Sequence, residues 1–289
     1  MTGAGPAVWI DGEIVERDQA KVSLFDRGVL FAQAAYEVTA VVDGRPIDLD
    51  AHMRRLDRTL VALDIPVTRT FGDWQAIHES VIAANSMREG VVYLQVSGGA
   101  YGGRDFVGPA TFTPMAFLFT TARPLWGPAQ REGVRAVTCP DERWARRDLK
   151  TTQLLSQTRA YRAALAAGAQ TAVMLAPDAT VTEAASANAW MVTPEGEVVT
   201  RPLGPEILPG VTRRAVLNLA ERQGYAVAER VFTRAEAAGA SELFLTSTGA
   251  GVVGITDLDG DRIGGGAVGP VTRALQAAYA DRIGLPMDL

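Results

Sequence analysis

Lysine is almost missing from this chain. Among 28 lysines and arginines, only Lys21 and Lys150 are lysines. Cysteine is down to Cys139 alone, so no disulfide can close within the chain and no cysteine cluster can hold a metal. The two histidines, His52 and His78, lie far apart and neither sits in an HExxH pattern, so no metal site is expected. No apolar run reaches the roughly 18–20 residues of a membrane span. The opening stretch "MTGAGPAVWIDGEIVE" has no basic segment followed by an apolar one and does not read as a signal peptide. A basic block is absent too. The net charge of −5 makes nucleic acid and anionic membrane poor partners. These absences leave a cytoplasmic enzyme as the expectation.

At 289 residues the chain is too long for one minimal core and suits two modest domains or one large one. The start reads as strands, with Asp11-Gly12 and Asp43-Gly44 as hairpin turns. "DAHMRRLDRTLVALDI" has Met53, Leu56, Leu60 and Leu63 at helical spacing, with Asp50 as candidate N-cap. "GDWQAIHESVIAANS" is a second helix, and "VVYLQVSGG" and "PMAFLFTTA" return to strand. "RPLWGP", with two prolines and a glycine, reads as a linker. The expected division is a domain over 1–122, a linker over 123–128 and a domain over 129–289. In the second part, helices are expected in "TQLLSQTRAYRAALAAGA", "TRRAVLNLAERQGY" and "PVTRALQAAYADRIG", with strands between. Strands and helices do not alternate strictly, so the expected class is α+β with mixed sheets rather than a barrel or doubly wound sheet.

"GGGAVG", residues 264–269, matches G-x-G-x-x-G in form and precedes a helix. It lies too near the C-terminus to leave room for a dinucleotide-binding unit, and a turn into the last helix explains it. A nucleotide-binding enzyme is the reading it would support.

Lys150, in "DERWARRDLKTTQLL", calls for another explanation. A solvated surface does not distinguish lysine from arginine, whereas chemistry that needs a free amine does, because arginine cannot deprotonate. Lys150 is therefore a candidate Schiff-base lysine, with Arg146 and Arg147 as candidate neighbours. Glu183 follows a strand among the small residues Ala184, Ala185, Ser186 and Ala187, where a flat ligand can approach. Buried there, it would need a cationic partner. "ILPGVTRR" puts Gly210, Val211 and Thr212 at a helix start, whose free N–H groups attract anions. "TSTGAG" offers hydroxyls and glycines after a strand, as a second phosphate cradle or a plain turn. Arg55 lies one step round the helix from Arg54 and three residues from His52, so it can turn inward and meet a phosphate bidentately. Taken singly, each has an ordinary structural explanation. Together, an amine, a carboxylate, an anion cradle and an arginine are what pyridoxal 5'-phosphate needs.

The motifs "FDRGVLFAQAAYEV", "HMRRL", "VVYLQVSGG", "RWARRDLKTTQLL", "VTEAASAN", "LPGVTRR" and "SELFLTSTGAG" follow one another in an order that resembles the fold type IV pyridoxal-phosphate enzymes. These include D-amino acid aminotransferases, branched-chain aminotransferases, (R)-amine transaminases and aminodeoxychorismate lyases. The likeness covers nearly the whole chain and implies a two-domain α+β fold, with a homodimer as partner state. It implies Lys150 as the Schiff-base lysine and Glu183 as partner of the pyridine nitrogen. Arg55, Val211, Thr212 and Thr248 become phosphate ligands, with Ser186 near the cofactor. Tyr36 and Tyr93 line the substrate pocket.

"KTTQLLSQTRA" lacks the GGNYA-type segment of branched-chain enzymes, and "ELFLTSTG" is closer to the D-amino acid group. The expected reaction moves an amino group from a D-amino acid to a 2-oxo acid such as pyruvate or 2-oxoglutarate. (R)-primary amines, branched-chain L-amino acids and the lyase reaction follow as alternatives. The sequence departs from the D-amino acid pattern in two places. Val29 stands where a tyrosine is usual, and Ser97 and Gly98 stand where a carboxylate-binding arginine is expected. Arg104 remains as substitute, with no histidine after it. A binder or scaffold that has lost activity is the non-enzymatic alternative, and the retained lysine and glutamate argue against it.

Overall fold

The computed structural model describes residues 4–287. The chain forms two compact units. One runs to Pro124 and also takes in Leu149–Gln153; the other comprises Leu125–Asp148 and the chain from Leu154 onward.

The first unit is built on a six-stranded sheet, antiparallel throughout. From one edge the strands are Glu13–Glu16, Ala4–Ile10, Met115–Ala122, Gly90–Ser97, Ala34–Val42 and Arg45–Pro46. Both expected hairpin turns are present. Asp11, Gly12, Asp43 and Gly44 all have positive φ, the geometry that lets a two-residue turn follow the strand twist. Side chains alternate across the sheet. Val92, Leu94, Val96, Ala116 and Leu118 face the core, which the helices Leu49–Ala62 and Phe71–Ala84 complete with Leu56, Leu60 and Trp74. Burying each such leucine contributes about 1.5–3 kcal/mol. The second helix starts on a capping box between Thr70 and Asp73. The first does not start on Asp50, as expected. Asp48 is its N-cap, at φ 52, and Asp50 lies in the first turn. Aspartate tolerates the left-handed region, so the tight exit from the preceding hairpin falls on Asp48.

The second unit carries a mixed sheet. Its strand order is Val227–Glu229, Val198–Thr200, Asn188–Val192, Glu242–Ser247, Gly251–Leu258, Val134–Pro140, Thr171–Leu175 and Val181–Ala184, with Asp261–Arg262 beside Gly251–Leu258. Three of its pairings are parallel. The helix Leu155–Ala166 packs on Thr171–Leu175, and the helices Val211–Arg222 and Pro270–Ile283 pack on each other and on Glu242–Ser247. Trp190 and Phe244, paired across neighbouring strands, stack at 5.4 Å in its interior.

Residues 264–269 form the turn into the last helix. The first N–H groups of that helix are already taken. Val271 and Thr272 donate to the Glu242 carboxylate at 2.9 and 2.8 Å. A side chain at Gly269 would collide with Glu242. An anionic phosphate finds a carboxylate there, so "GGGAVG" is no nucleotide cradle. Three short helices, Arg27–Phe31, Pro128–Glu132 and Arg234–Ala238, were not anticipated. Periodicity needs more than five residues to show itself. Among the described residues no helix is long and apolar enough to cross a membrane, and no group of histidine, cysteine and acidic side chains could hold a metal ion.

Candidate active site

In the first unit, Lys150 lies along the free edge at the start of the Ala34–Val42 strand. Tyr36 N–H donates to Lys150 O at 3.0 Å and Thr152 N–H donates to Ala34 O at 3.1 Å. Thr151 bridges Ala35 in antiparallel fashion. This pairing fixes the lysine backbone against Tyr36, and the Lys150 amine lies 4.1 Å from the centre of the Tyr36 ring. Tyr36 stacks on Tyr93 at 5.6 Å, and Tyr93 on Phe119 at 4.9 Å. These rings occupy the sheet face opposite the helices. The Tyr93 hydroxyl donates to Gln95 Oε1. Burial, with Tyr36 nearby, pushes its ionisation upward.

The next residue of the strand, Glu37, points to the other face and is fully buried. Arg55 grips it bidentately, Nε to Oε1 and Nη2 to Oε2, each at 2.7 Å. His52 Nδ1 lies 2.8 Å from Oε2. Burial alone would raise the Glu37 carboxyl, but the charge and hydrogen bonds of Arg55, then those of His52, bring it down to about 2. Arg55 does turn inward, and Glu37 is the partner it meets. Neither Glu37 nor its tie to His52 was picked out from sequence. A glutamate in the inward row of a strand was the available signal.

Arg104 is exposed and lies over the Phe106 and Phe31 rings, at 4.7 and 5.8 Å. Val29 is exposed on the Arg27–Phe31 helix. Arg27, which is buried, ties this loop down through the backbone oxygens of Asp105 and Phe106 and the Gln33 side chain.

In the second unit, Glu183 lies buried in the strand Val181–Ala184. Its Oε1 accepts from Asn188 Nδ2 at 2.6 Å and from Leu208 N–H at 3.0 Å, and its Oε2 accepts from Arg143 Nη1. Burial raises its carboxyl; Arg143 and the Leu208 N–H oppose this without overcoming it, and Asp141 adds to the rise. The cationic partner required of a buried Glu183 is thus Arg143, three residues before Arg146. Arg146 itself pairs with Asp148, and Arg147 with Asp141.

Asn188 joins the parts of this half. Besides Glu183 it holds Leu208 O at 2.9 Å, just before the helix that starts at Val211. It also stands opposite Thr246, two residues before Thr248 in the hairpin turn. Asn188 thus links Glu183 to the turn that leads into the helix carrying Val211 and Thr212. Ser186 is exposed, with its hydroxyl on that of Tyr161.

Pyridoxal phosphate can be tested against these groups. The helix Val211–Arg222 begins on Gly210, with no side-chain cap on its first N–H groups. A Cβ at Gly210 would come 2.0 Å from Asn188 Oδ1, so the approach depends on glycine. This uncapped start contrasts with the carboxylate-filled start of the last helix and suits a phosphate. Glu183 is a buried acceptor suited to a ring N–H. Lys150 supplies the amine. The carboxylate and helix start of the second unit, and separately the amine of the first, are each of a kind that this group takes.

A profile of the amino-transferase class IV family matches residues 34–258. The chain is 34% identical to a D-alanine aminotransferase of Bacillus licheniformis over 278 residues, 96% of each chain. It also resembles the solved branched-chain amino acid aminotransferase of Escherichia coli, with a TM-score of 0.90, 24% identity and coverage of 98% of this chain and 97% of that one. The branched-chain aminotransferase of the archaeon Thermoproteus uzoniensis, solved with norvaline, is similar at a TM-score of 0.85 and 25% identity, covering 97% and 95%. A further branched-chain amino acid aminotransferase, solved with pyridoxamine 5'-phosphate, has a TM-score of 0.87 and 23% identity, covering 98% and 95%. At these identities the solved structures speak to fold.

Proposed function

The chain belongs to the class IV aminotransferase family, and from that premise we propose that it moves an amino group from a D-amino acid to a 2-oxo acid. It is a pyridoxal-phosphate-dependent aminotransferase of fold type IV. The observation that carries the choice of donor is the 34% identity to a D-alanine aminotransferase over nearly the full length of both chains.

Bound pyridoxal phosphate supplies an aldehyde that condenses with amines and a ring that withdraws electrons from the adjoining carbon. Lys150 is the attachment point and, once displaced by the amino donor, the base that moves the proton at the substrate α-carbon. Its position over the Tyr36 ring supports this role, because a preset amine loses little freedom on the way to proton transfer. Glu183 would pair with the ring nitrogen. The N–H groups of Val211 and Thr212 and the Thr248 hydroxyl would hold the phosphate, Arg55 would be a phosphate ligand while gripping Glu37, and Ser186, beside Tyr161, would lie near the cofactor. Tyr36 and Tyr93 shape the substrate pocket, with Val29 at its rim and Arg104 as carboxylate partner. A second 2-oxo acid reverses the proton movement, giving ping-pong kinetics. A homodimer and a cytoplasmic location are parts of the same proposal, resting on the family likeness and the single cysteine.

A specific observation favours a second reading, an (R)-selective amine transaminase. The loop has no arginine at Ser97 or Gly98, and Arg104 stacks on phenylalanine rings. A pocket without a carboxylate partner accepts a plain amine. Spectrophotometric half-reactions with D-alanine, (R)-1-phenylethylamine and L-leucine separate these readings. D-alanine should bleach the bound cofactor's visible colour fastest. Faster bleaching by the amine or by L-leucine replaces the proposed donor. Borohydride should fix the cofactor onto Lys150, and a reduced adduct mapped to Lys21 rejects the assignment.

A further inference from the structure

Glu183 is one member of a buried ionic chain. Arg143 touches it with Nη1 only. Its other nitrogens turn to Asp141, Nε to Oδ1 at 2.9 Å and Nη2 to Oδ2 at 2.8 Å, with Nη2 also reaching Glu206 O at 3.4 Å. Asp141 also accepts from the Arg143 N–H at 3.1 Å and from the Thr182 hydroxyl at 2.7 Å, and Arg147 Nε stands 3.3 Å from its Oδ2. The side chains of Asp141, Arg143 and Glu183 are 0%, 6% and 5% exposed, and that of Arg147 is 18% exposed. Two carboxylates and two guanidiniums cancel in charge.

We propose that Arg143, aimed by Asp141, decides on which side of the Glu183–heterocycle contact the shared proton resides, keeping it on the ring nitrogen. The inference rests on the aminotransferase reading above and assigns positioning roles to two residues that touch neither substrate nor cofactor. Guanidinium cannot give up its proton, so the only mobile proton lies between the Glu183 carboxyl and the heterocycle. A buried carboxylate without a cation takes up a proton rather than remain charged. The neutral donors on Oε1, Asn188 and Leu208 N–H, do not supply the missing charge. Arg143 does, weakening the hold that burial gives Glu183 on the proton and so favouring the ring nitrogen.

Asp141 acts in two opposed ways. Its negative charge pushes Glu183 toward protonation, while its two-point grip turns Nη1 toward Oε2. Replacing Asp141 by asparagine removes the opposing charge and keeps the cation. Replacing Arg143 by glutamine keeps a donor and removes the cation. The two variants therefore have different consequences for the proton, whereas plain disruption of the chain would affect the ring alike in both.

The test uses the holoenzyme carrying pyridoxal phosphate labelled with 15N in the ring, with the ring resonance read at one mildly alkaline pH. Wild type and Asp141→Asn should show the protonated-nitrogen position. Arg143→Gln should shift to the unprotonated position, and Arg143→Lys should restore the first. An unshifted Arg143→Gln, or an Asp141→Asn that shifts with it, overturns the inference. If Arg143→Gln does not fold, Arg143→Met carries the same expectation, and an unprotonated ring in Asp141→Asn alone is sufficient to reject the idea. Wild type that retains no label on Lys150 after borohydride reduction rejects the site assignment itself. Retained label with the wrong shifts rejects only the role of Asp141 and Arg143.

Discussion

Glu37 and Glu183 are both buried carboxylates held by an arginine, one in each unit, yet their surroundings drive them in opposite directions. Glu37 falls to about 2, and Glu183 rises. Desolvation is the largest influence on both and raises both. The difference lies in how the arginine is shared. Arg55 gives Glu37 two nitrogens, and His52 adds a third contact. Arg143 gives Glu183 one nitrogen and spends two on Asp141, whose own charge repels Glu183. An ion pair therefore has no fixed worth. An arginine that gives its carboxylate two nitrogens holds it ionised, and one that gives a single nitrogen while facing a second carboxylate does not.

The strongest way to break this comparison is to remove each carboxylate. Glu37→Ala removes the buried carboxylate that Arg55 and His52 share, a change that costs about 3–5 kcal/mol. Glu183→Gln leaves Arg143 paired with Asp141, so the loss should be nearer 1–3 kcal/mol, the cost of a mismatched buried polar group. Urea unfolding without added cofactor compares the two. Equal losses would show that sharing is not what separates them.

Acid sharpens the comparison further. In the first unit three groups act in one sense. Glu37 has a folded pKa below its ordinary 4.5, so its stabilisation is present above that value and is lost as pH falls toward 2. Burial lowers His52, and lowers His78 from 6.5 to about 4. Folding favours their neutral forms, so their support is present above pH 6.5 and drains away on acidification. His78 alone accounts for about 3 kcal/mol between pH 6.5 and 4. Glu183 acts in the opposite sense. Its folded pKa is raised, so protonation relieves a cost as pH falls toward its ordinary 4.5. Asp141 is held below 3.8 and loses its support only under that value. Hydrogen exchange from pH 7 to 4, corrected for intrinsic rates, should show Ala34–Val42 and Leu49–Ala62 losing protection before Val181–Ala184 and Asn188–Val192. Simultaneous loss would contradict the opposed signs.

The sequence carried much of the plan and little of this contrast. Asp11-Gly12 and Asp43-Gly44 announced their turns because few dipeptides accept positive φ twice. The 3.6-residue spacing of Met53, Leu56, Leu60 and Leu63 announced a helix, though not its first residue. Lys150 stood out by rarity and Glu183 by its small neighbours. Glu37, Asp141, Arg143 and Asn188 did not stand out, because each meets its partner through folding. Glu37 and Arg55 lie 18 residues apart, and Arg143 and Glu183 lie 40 apart. An arginine among many arginines gives no sign of which one will be buried.

Arg54 provides the smallest effect and the calibration for the rest. It adjoins Arg55 on the same helix, carries the same charge and has its own carboxylate, Asp50, at the i,i+4 spacing. Its side chain is 65% exposed and that of Asp50 56%. Water screens the pair and each long side chain loses freedom by forming it, so Arg54→Ala should cost only about 0.3–0.5 kcal/mol, and less in high salt. The same urea titration measures it. A loss at Arg54 as large as that from removing Glu37 would mean that charge on this helix, rather than burial and two-point pairing, sets the energies. A small, salt-sensitive loss assigns the difference between the adjacent arginines to the face of the helix on which each one lies.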